Sequence, residues 1–233
     1  NDEVLQLLNS ASTYTGRTTI LSNAMVATGA LPSGSRTGDV YVYGNLQLST
    51  AGYNGTINGL FGTGVVSYGN SGVSSLTIGD NNAIATFSGL IDANSNLTII
   101  KTGAGTQTLV GAHKWGRGTE LRGGTLSINS IANGGIDSGL GNSANLATNL
   151  VFNGGTLAYT GANATSDRAF TINTDKTATI DTTNDLTLAG ATGSATNGAL
   201  TKTGAGTLTL SGTNTYTGAT SVGQGKLVIN GNI

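Results

Sequence analysis

One sequence unit occurs twice along the chain without a gap, and part of it occurs a third time. The middle copy (101–129) reads KTGAGTQTLVGAHKWGRGTELRGGTLSIN, and the last copy (202–230) reads KTGAGTLTLSGTNTYTGATSVGQGKLVIN. A partial first copy covers 13–28, and the aligned aromatic residues of the three copies are 101 residues apart: Tyr14, Trp115 and Tyr216. Repetition at a fixed period predicts an array in which each unit buries its apolar face against its neighbours.

Short half-buried strands account for the pattern between the turns. Leu, Val and Ile alternate with Thr, Ser and Asn in brief runs that end at Gly, Asn or Asp. The clearest run, VYVYGNLQL, places four apolar residues on one side: Val40, Val42, Leu46 and Leu48. Only 9% of residues are charged, which would be compatible with disorder, but the regular alternation of strand-forming residues excludes it.

These short strands predict an all-β fold, a parallel β-helix (β-solenoid) of about ten coils. Strands this short cannot form long hairpins, and three of them with their turns use roughly 20–25 residues, one coil of a stack. We expect a single domain over 1–233, with repeat units at roughly 1–28, 97–129 and 199–230 and β-rich spacers between them. A β-sandwich of hairpins is the alternative, which the scarcity of two-residue hairpin turns disfavours.

Composition removes several classes of function. A formal net charge of −1 gives no long-range field, so the sequence predicts no nucleic-acid partner. No apolar run approaches the ~20 residues of a membrane-spanning helix, so we predict no membrane insertion by this segment. One His and no Cys disfavour a zinc site, and no cofactor is predicted. The chain begins inside a repeat, and we therefore expect it to be a piece of a longer protein.

Two sets of residues were considered as catalytic groups, and neither favours an enzyme. His113 aligns with Asn214 of the last copy, which predicts a turn residue and not the base of a Ser-His-Asp triad. Four Asp residues fall within 167–185, of which Asp181 and Asp185 are close in sequence. Carbohydrate-active β-helix enzymes need clustered carboxylates on one face, whereas isolated Asp residues more often cap turns. We predict the turn role and no catalytic residues.

The strongest departure between the copies is HKWGRGTELR (113–122), which replaces NTYTGATSVG of the last copy. Two interpretations are open: the Trp and the cations bind a sugar or an anionic glycan, or the Trp packs on its own coil as the aligned Tyr residues do. The second is favoured. The candidate binding residues under the first are His113, Lys114, Trp115, Arg117 and Arg122.

The last copy resembles a known family, the autotransporter-associated β-strand repeat of Gram-negative passenger domains. The resemblance lies in KTGAGTLTLSGTNTYTGATSV with its LTKTGAGT lead-in and YTG turn, and in the spacer phrases LPSGSRTGDVYVYGNLQL, NLVFNGGTLAYTG and DRAFTI. It implies a right-handed parallel β-helix, export across the outer membrane, and display on or release from the cell surface.

The resemblance does not imply a single activity, because function belongs to sites and not to folds. It favours a structural or adhesive segment that acts as a stalk, adhesin or self-association surface. The partners it implies are a host-cell or glycan receptor, or further copies associated end to end or side to side. Two alternatives stay open at this point: a β-helical carbohydrate-active enzyme and a self-assembling extracellular fibre subunit.

Overall fold

The computed structural model describes residues 4–7, 15–28, 31, 38–48, 52–68, 72–93, 96–194 and 196–231. Within these ranges the chain forms 25 β-strands and one short 3-10 helix, Ala147–Asn149, and no α-helix. Among the same residues, no helix has the length and apolarity that crossing a membrane requires. The predicted all-β class is therefore confirmed.

The strands are two to six residues long, as the brief alternating runs predict. Their bounds are β1 Val4–Leu7, β2 Thr18–Ile20, β3 Met25–Thr28, β4 Val40–Val42, β5 Asn45–Leu48, β6 Asn54–Ile57, β7 Leu60–Gly62, β8 Val65–Tyr68, β9 Ser74–Ile78, β10 Ala85–Phe87, β11 Leu90–Asp92, β12 Leu97–Lys101, β13 Thr106–Leu109, β14 Gly118–Leu121, β15 Thr125–Ile128, β16 Leu150–Phe152, β17 Thr156–Tyr159, β18 Ala164–Ser166, β19 Thr171–Ile172, β20 Thr177–Thr182, β21 Leu186–Leu188, β22 Ala199–Thr203, β23 Thr207–Leu210, β24 Thr220–Val222 and β25 Lys226–Ile229.

The strands stack into three faces of a solenoid, and the strands of each face pair in parallel. Face 1 is one sheet in the order β2-β4-β7-β10-β13-β15-β17-β20-β22-β24. Face 2 consists of two sheets, β1-β3-β5-β8-β11 and β18-β21-β23-β25, and face 3 is β19-β16-β14-β12-β9-β6. The chain passes from face 1 to face 2 to face 3 and back, as β7, β8, β9 and β10 do. The ten strands described on face 1 make about nine turns, which confirms the predicted parallel β-solenoid.

One coil is much longer than the others. Along face 3, Lys101 pairs with Leu121, a step of 20 residues, and along face 1, Ile128 pairs with Tyr159, a step of 31 residues. The additional residues form an insertion loop (129–149) with no β-strand. Surface loops of a repeat array tolerate such changes in length because each coil contacts only its neighbours.

The interior is filled by the apolar residues of the alternating runs. Val40, Val42, Leu46 and Leu48 are all 0% exposed, so the predicted shared side is the inner one. Each fully buried side chain of this kind contributes on the order of 1.5–3 kcal/mol relative to an exposed one. Stacked coils thus stabilise one another through a continuous column of Leu, Ile, Val and Phe.

Side chains at the corners tie each coil to the next. The Oδ1 atom of Asn58 accepts hydrogen bonds from the backbone N–H groups of Asn81 and Ala83, at 3.1 and 2.9 Å. The Oδ1 atom of Asn82 does the same for the N–H of Ala104, at 2.6 Å. Asn suits these corners because its short side chain reaches backbone groups of a neighbouring turn.

Candidate functional site

Face 2 is interrupted at the middle of the solenoid, between β11 and β18. In its place lie residues of the middle copy, where the N–H of Lys114 donates to the carbonyl of Ile91 at 2.8 Å. The insertion loop covers this segment, and His113 and Ser138 form an isolated antiparallel bridge. The segment that departs most between the copies is therefore also the place where the regular stacking is broken.

A buried arginine holds the insertion loop in place. Arg168 is 3% exposed, and its guanidinium donates to the carbonyl oxygens of Ala132 at 3.1 Å and Gly141 at 2.7 Å. It also donates to the hydroxyl of Ser143 at 3.0 Å. Burial lowers the pKa of Arg168 from its ordinary value. Because its donors are satisfied by carbonyls of the loop, this arginine gives an irregular segment a defined shape.

Of the Asp residues named as catalytic candidates, Asp167 and Asp185 make capping contacts at turns, whereas Asp181 lies within β20. Asp167 accepts a hydrogen bond from the N–H of Gly134 at 2.7 Å, and Asp185 accepts one from the N–H of Thr207 at 2.8 Å. Asp181 accepts a bond from a threonine hydroxyl of the next coil. No group of three or more His, Cys, Asp or Glu that could hold a metal occurs in the part of the chain described. The contacts of Asp167 and Asp185 match the predicted turn role, and the strand position of Asp181 does not.

Two of the five candidate binding residues lie in the interior. His113 and Trp115 are both 0% exposed. The imidazole ring lies between Phe87 and Trp115, with ring centroids 6.4 and 5.5 Å apart, and its Nδ1 accepts the N–H of Ile91 at 3.2 Å. Burial lowers the pKa of His113 to about 4, so the ring is neutral at physiological pH. Neither side chain is accessible to a ligand at this surface.

Trp115 makes the same kind of side-chain contact as its counterpart in the last copy. Its Nε1–H donates to the hydroxyl of Thr119 at 3.2 Å, and the hydroxyls of Tyr216 and Thr220 lie 3.0 Å apart. Both contacts join an inward aromatic residue to the threonine four positions later. Tyr14 of the first copy lies outside the described residues. The interpretation that Trp115 packs on its own coil agrees with this geometry.

The other three candidates are on the surface, and two of them have ionic partners. Lys114 Nζ lies 3.7 Å from a carboxylate oxygen of Asp92. The guanidinium of Arg122 donates to both carboxylate oxygens of Glu120, at 2.8 and 2.9 Å, which holds the pKa of Glu120 below its ordinary value. Arg117 is exposed, and no carboxylate of the described ranges pairs with it. Among the three surface candidates, Arg117 is therefore the cation that is free to meet a ligand.

A polar groove of about 460 Å³ opens beside this cation, across the beginnings of β12, β14 and β16 on face 3. Close backbone approach shapes its floor: Gly118 has φ of 120°, and a Cβ there would come within 2.6 Å of the carbonyl oxygen of Asn149. A side chain at this position would therefore be strained and would push the two coils apart. The residues that line the groove are Thr98, Gly116, Arg117, Gly118, Thr119, Glu120, Thr148, Asn149 and Val151.

Comparison with known proteins identifies the repeat. A family model described as passenger-associated-transport-repeat matches residues 4–23, 99–128 and 200–229. The chain carries the autotransporter passenger repeat. The adhesin BmaC autotransporter of Brucella suis biovar 1 (strain 1330) is 38% identical over 172 residues, which are 71% of this chain and 5% of that relative. No solved structure matches the chain significantly.

These matches confirm the resemblance stated from the sequence and place the repeat among secreted or cell-surface proteins of Gram-negative bacteria. The chain spans only a small part of the length of the adhesin it matches.

The lysine that opens the passenger repeat is a buried structural residue. Lys101 is 1% exposed, and its ammonium donates to the carbonyl oxygens of Thr102 and Gly103 and, in the next coil, of Gly123 at 3.3 Å. Burial lowers the pKa of Lys101 to about 8, so the group stays charged at neutral pH. We call this arrangement the lysine clamp, because one cation holds the carbonyls of two successive coils.

The same clamp occurs in the last copy. Lys202 is 0% exposed and donates to the carbonyls of Thr203, Gly204 at 2.8 Å and Gln224 at 3.4 Å. This role was not predicted from the sequence. The alternation of β12 contains the missing signal, since Leu97, Ile99 and Lys101 fall on the same, inner side.

Proposed function

We propose that this chain is a rigid scaffold segment, a stalk, of an exported adhesin-like protein of the bacterial cell surface. The observation that carries the proposal is the single sheet of ten parallel strands on face 1. At about 4.8 Å per turn, nine turns give a rod on the order of 45 Å long. Such a rod supports a neighbouring domain at a fixed distance, which a flexible linker does not do.

The side chains support a structural role over a catalytic one. The conspicuous His and Trp are interior, Asp167 and Asp185 cap turns, and two of the three surface cations of the middle copy are in ion pairs. The similarity to an autotransporter adhesin favours the same conclusion. We therefore propose a non-enzymatic segment that acts by holding its parent protein extended outside the cell.

The experiment is carried out on the parent protein displayed by Gram-negative cells. In one variant this segment is replaced by a Gly/Ser linker of the same number of residues, and in the matched control by another solenoid segment with the same number of turns. We expect adhesion to fall with the linker and to persist with the control. Surface labelling of intact cells checks that all variants are exported equally. Equal adhesion of the linker variant would contradict the stalk role.

A further inference from the structure

The groove beside Arg117 is a feature of the middle copy that the scaffold role does not require. The position of Arg117 is held by Gly218 in the last copy, so the repeat folds without this side chain. The backbone N–H of Arg117 donates to the carbonyl of Leu97 at 3.2 Å, which fixes where the residue stands while its guanidinium remains in solvent. A fixed backbone with an unengaged cation is an arrangement suited to binding.

The charge balance of the groove favours a ligand that brings one carboxylate to Arg117. Glu120 also lines it, but its two carboxylate oxygens accept bonds from Arg122, and one of them also accepts the side-chain amide of Asn153 at 3.0 Å. That carboxylate is thus neutralised by its own partner, and the cation of Arg117 is in excess. A guanidinium presents two parallel N–H groups, a geometry that matches a carboxylate.

The remaining lining matches the hydroxyls of a sugar. Thr98 of β12 and Thr148 of the insertion loop both line the groove, and Val151 adds a small apolar surface. The amide nitrogen of Asn149 is engaged with the carbonyl of Ala144 at 2.9 Å, which leaves its oxygen as an acceptor. Few charges, several hydroxyls and one apolar contact are the chemistry of saccharide recognition, with orientation fixed by a small number of polar groups.

The groove is also held in shape before any ligand arrives. The insertion loop that forms one wall is fixed by the buried guanidinium of Arg168, and the floor depends on Gly118. Binding to such a preformed site costs little ordering of the protein. We propose that this groove binds a carboxylated saccharide, with Arg117 contacting the carboxylate and the threonine hydroxyls contacting the sugar ring.

The test is calorimetric titration of the purified 233-residue chain with trigalacturonate, and with neutral trigalactose as the uncharged counterpart. We expect saturable binding of trigalacturonate and binding of trigalactose weaker by at least about tenfold, the loss of one charge-assisted contact. Arg117→Gln should weaken trigalacturonate binding by a similar factor. Lys176→Gln, which removes an exposed cation outside the groove, is the matched control and should bind as the unmodified chain does.

Three results would overturn the proposal. They are equal affinity of Arg117→Gln and the unmodified chain, equal affinity for the charged and the neutral trisaccharide, and no saturable binding at millimolar concentrations. Competition by inorganic sulfate or phosphate as effective as that of trigalacturonate would reduce the site to a general anion contact and would also overturn it. A second variant, Arg117→Gly, reproduces the last copy and checks that the loss does not come from misfolding. The stalk role concerns length and rigidity and would survive each of these results.

Discussion

The middle and last copies of the repeat make the same contacts on different faces of the solenoid. In the middle copy, β12, β13, β14 and β15 lie on faces 3, 1, 3 and 1, whereas in the last copy β22, β23, β24 and β25 lie on faces 1, 2, 1 and 2. In both copies a buried lysine reaches the carbonyl oxygen 22 residues later, in the next coil. The repeat therefore specifies a corner and the strands on either side of it. The face on which it lies depends on how many residues precede it.

The copies differ at interior positions, and one of these differences coincides with a local irregularity of the ladder. Gln107, which replaces Leu208, sends its amide past a neighbouring coil to Leu60, where it accepts the N–H at 3.0 Å and donates to the carbonyl at 2.9 Å. On that part of face 1, β10 pairs with β7 only through Phe87 and Gly62. The side-chain amide thus replaces a missing backbone rung.

The largest effect is expected at the aligned aromatic position. Trp115→Ala should lower the free energy of unfolding by about 3–5 kcal/mol because it leaves a large cavity in the core. Trp115→Tyr, which copies the last repeat, should cost about 1–2 kcal/mol, since Tyr216 shows that a tyrosine hydroxyl reaches the equivalent threonine. Urea unfolding followed by circular dichroism measures both. If the two variants lost the same free energy of unfolding, the copies would not be equivalent at this position.

The lysine clamp gives the second prediction. Lys101→Met and Lys202→Met should each destabilise their own corner by about 2–4 kcal/mol, since three carbonyl oxygens lose a charged donor. Hydrogen exchange measures the effect locally, at the amide of Arg122 for the middle copy and of Gly223 for the last copy, each of which donates to the clamp lysine's carbonyl at 2.8 Å. Faster exchange at only one of the two corners would show that the clamp depends on its face.

The pH dependence of stability should differ between the two copies, because the middle copy has His113 where the last copy has Asn214. The pKa of this group is about 4 in the folded chain and about 6.5 when unfolded, so the unfolded chain binds more protons between these values. Its contribution to stability is present above pH 6.5 and is lost as the pH falls towards 4, by about 2–3 kcal/mol. His113→Asn, which copies Asn214, should remove this part of the slope. An unchanged difference between pH 7 and pH 4.5 in urea unfolding would contradict the assignment.

The smallest effect is expected at the bridging amide. Gln107→Leu should cost about 1–2 kcal/mol because the N–H and carbonyl groups of Leu60 lose their partners. The reciprocal Leu208→Gln places an amide in the last copy, where no such gap in the ladder exists. We expect it to destabilise as well, because burying an amide without a partner is unfavourable. Urea unfolding measures both changes. If either change were stabilising, the residues of the two copies would be interchangeable at this position, contrary to this prediction.

The repeated alternation of the sequence predicts the fold because a strand inside a solenoid must bury every second residue. The buried side chains of Val40, Val42, Leu46 and Leu48 follow directly from that rule. The number of coils follows from strand and turn lengths. The path of the insertion loop, which ends in a 3-10 turn, does not follow from the alternation.

The site was less predictable because its contacts join residues far apart in sequence. Arg168 meets carbonyls that lie 27 and 36 residues earlier, and no local pattern indicates such a meeting. The buried positions of Lys101 and Gln107 were missed for another reason. Polar side chains are normally assigned to the surface, and only the alternation of inward and outward residues along the strand shows that these two point inward. The surface position of Arg117 beside a groove depends on the insertion loop, whose path the sequence does not reveal.

The spacing between the copies does not equal a whole number of solenoid coils, and this has a consequence for how such a protein changes over generations. Recombination between the middle and last copies would excise 101 residues, which is not a whole number of coils. The splice would preserve the lysine clamp and yet rotate all that lies beyond it by about a third of a turn. In a protein built from these units, each gain or loss of a copy would thereby change the direction in which the outer loops point. The core residues would not have to change.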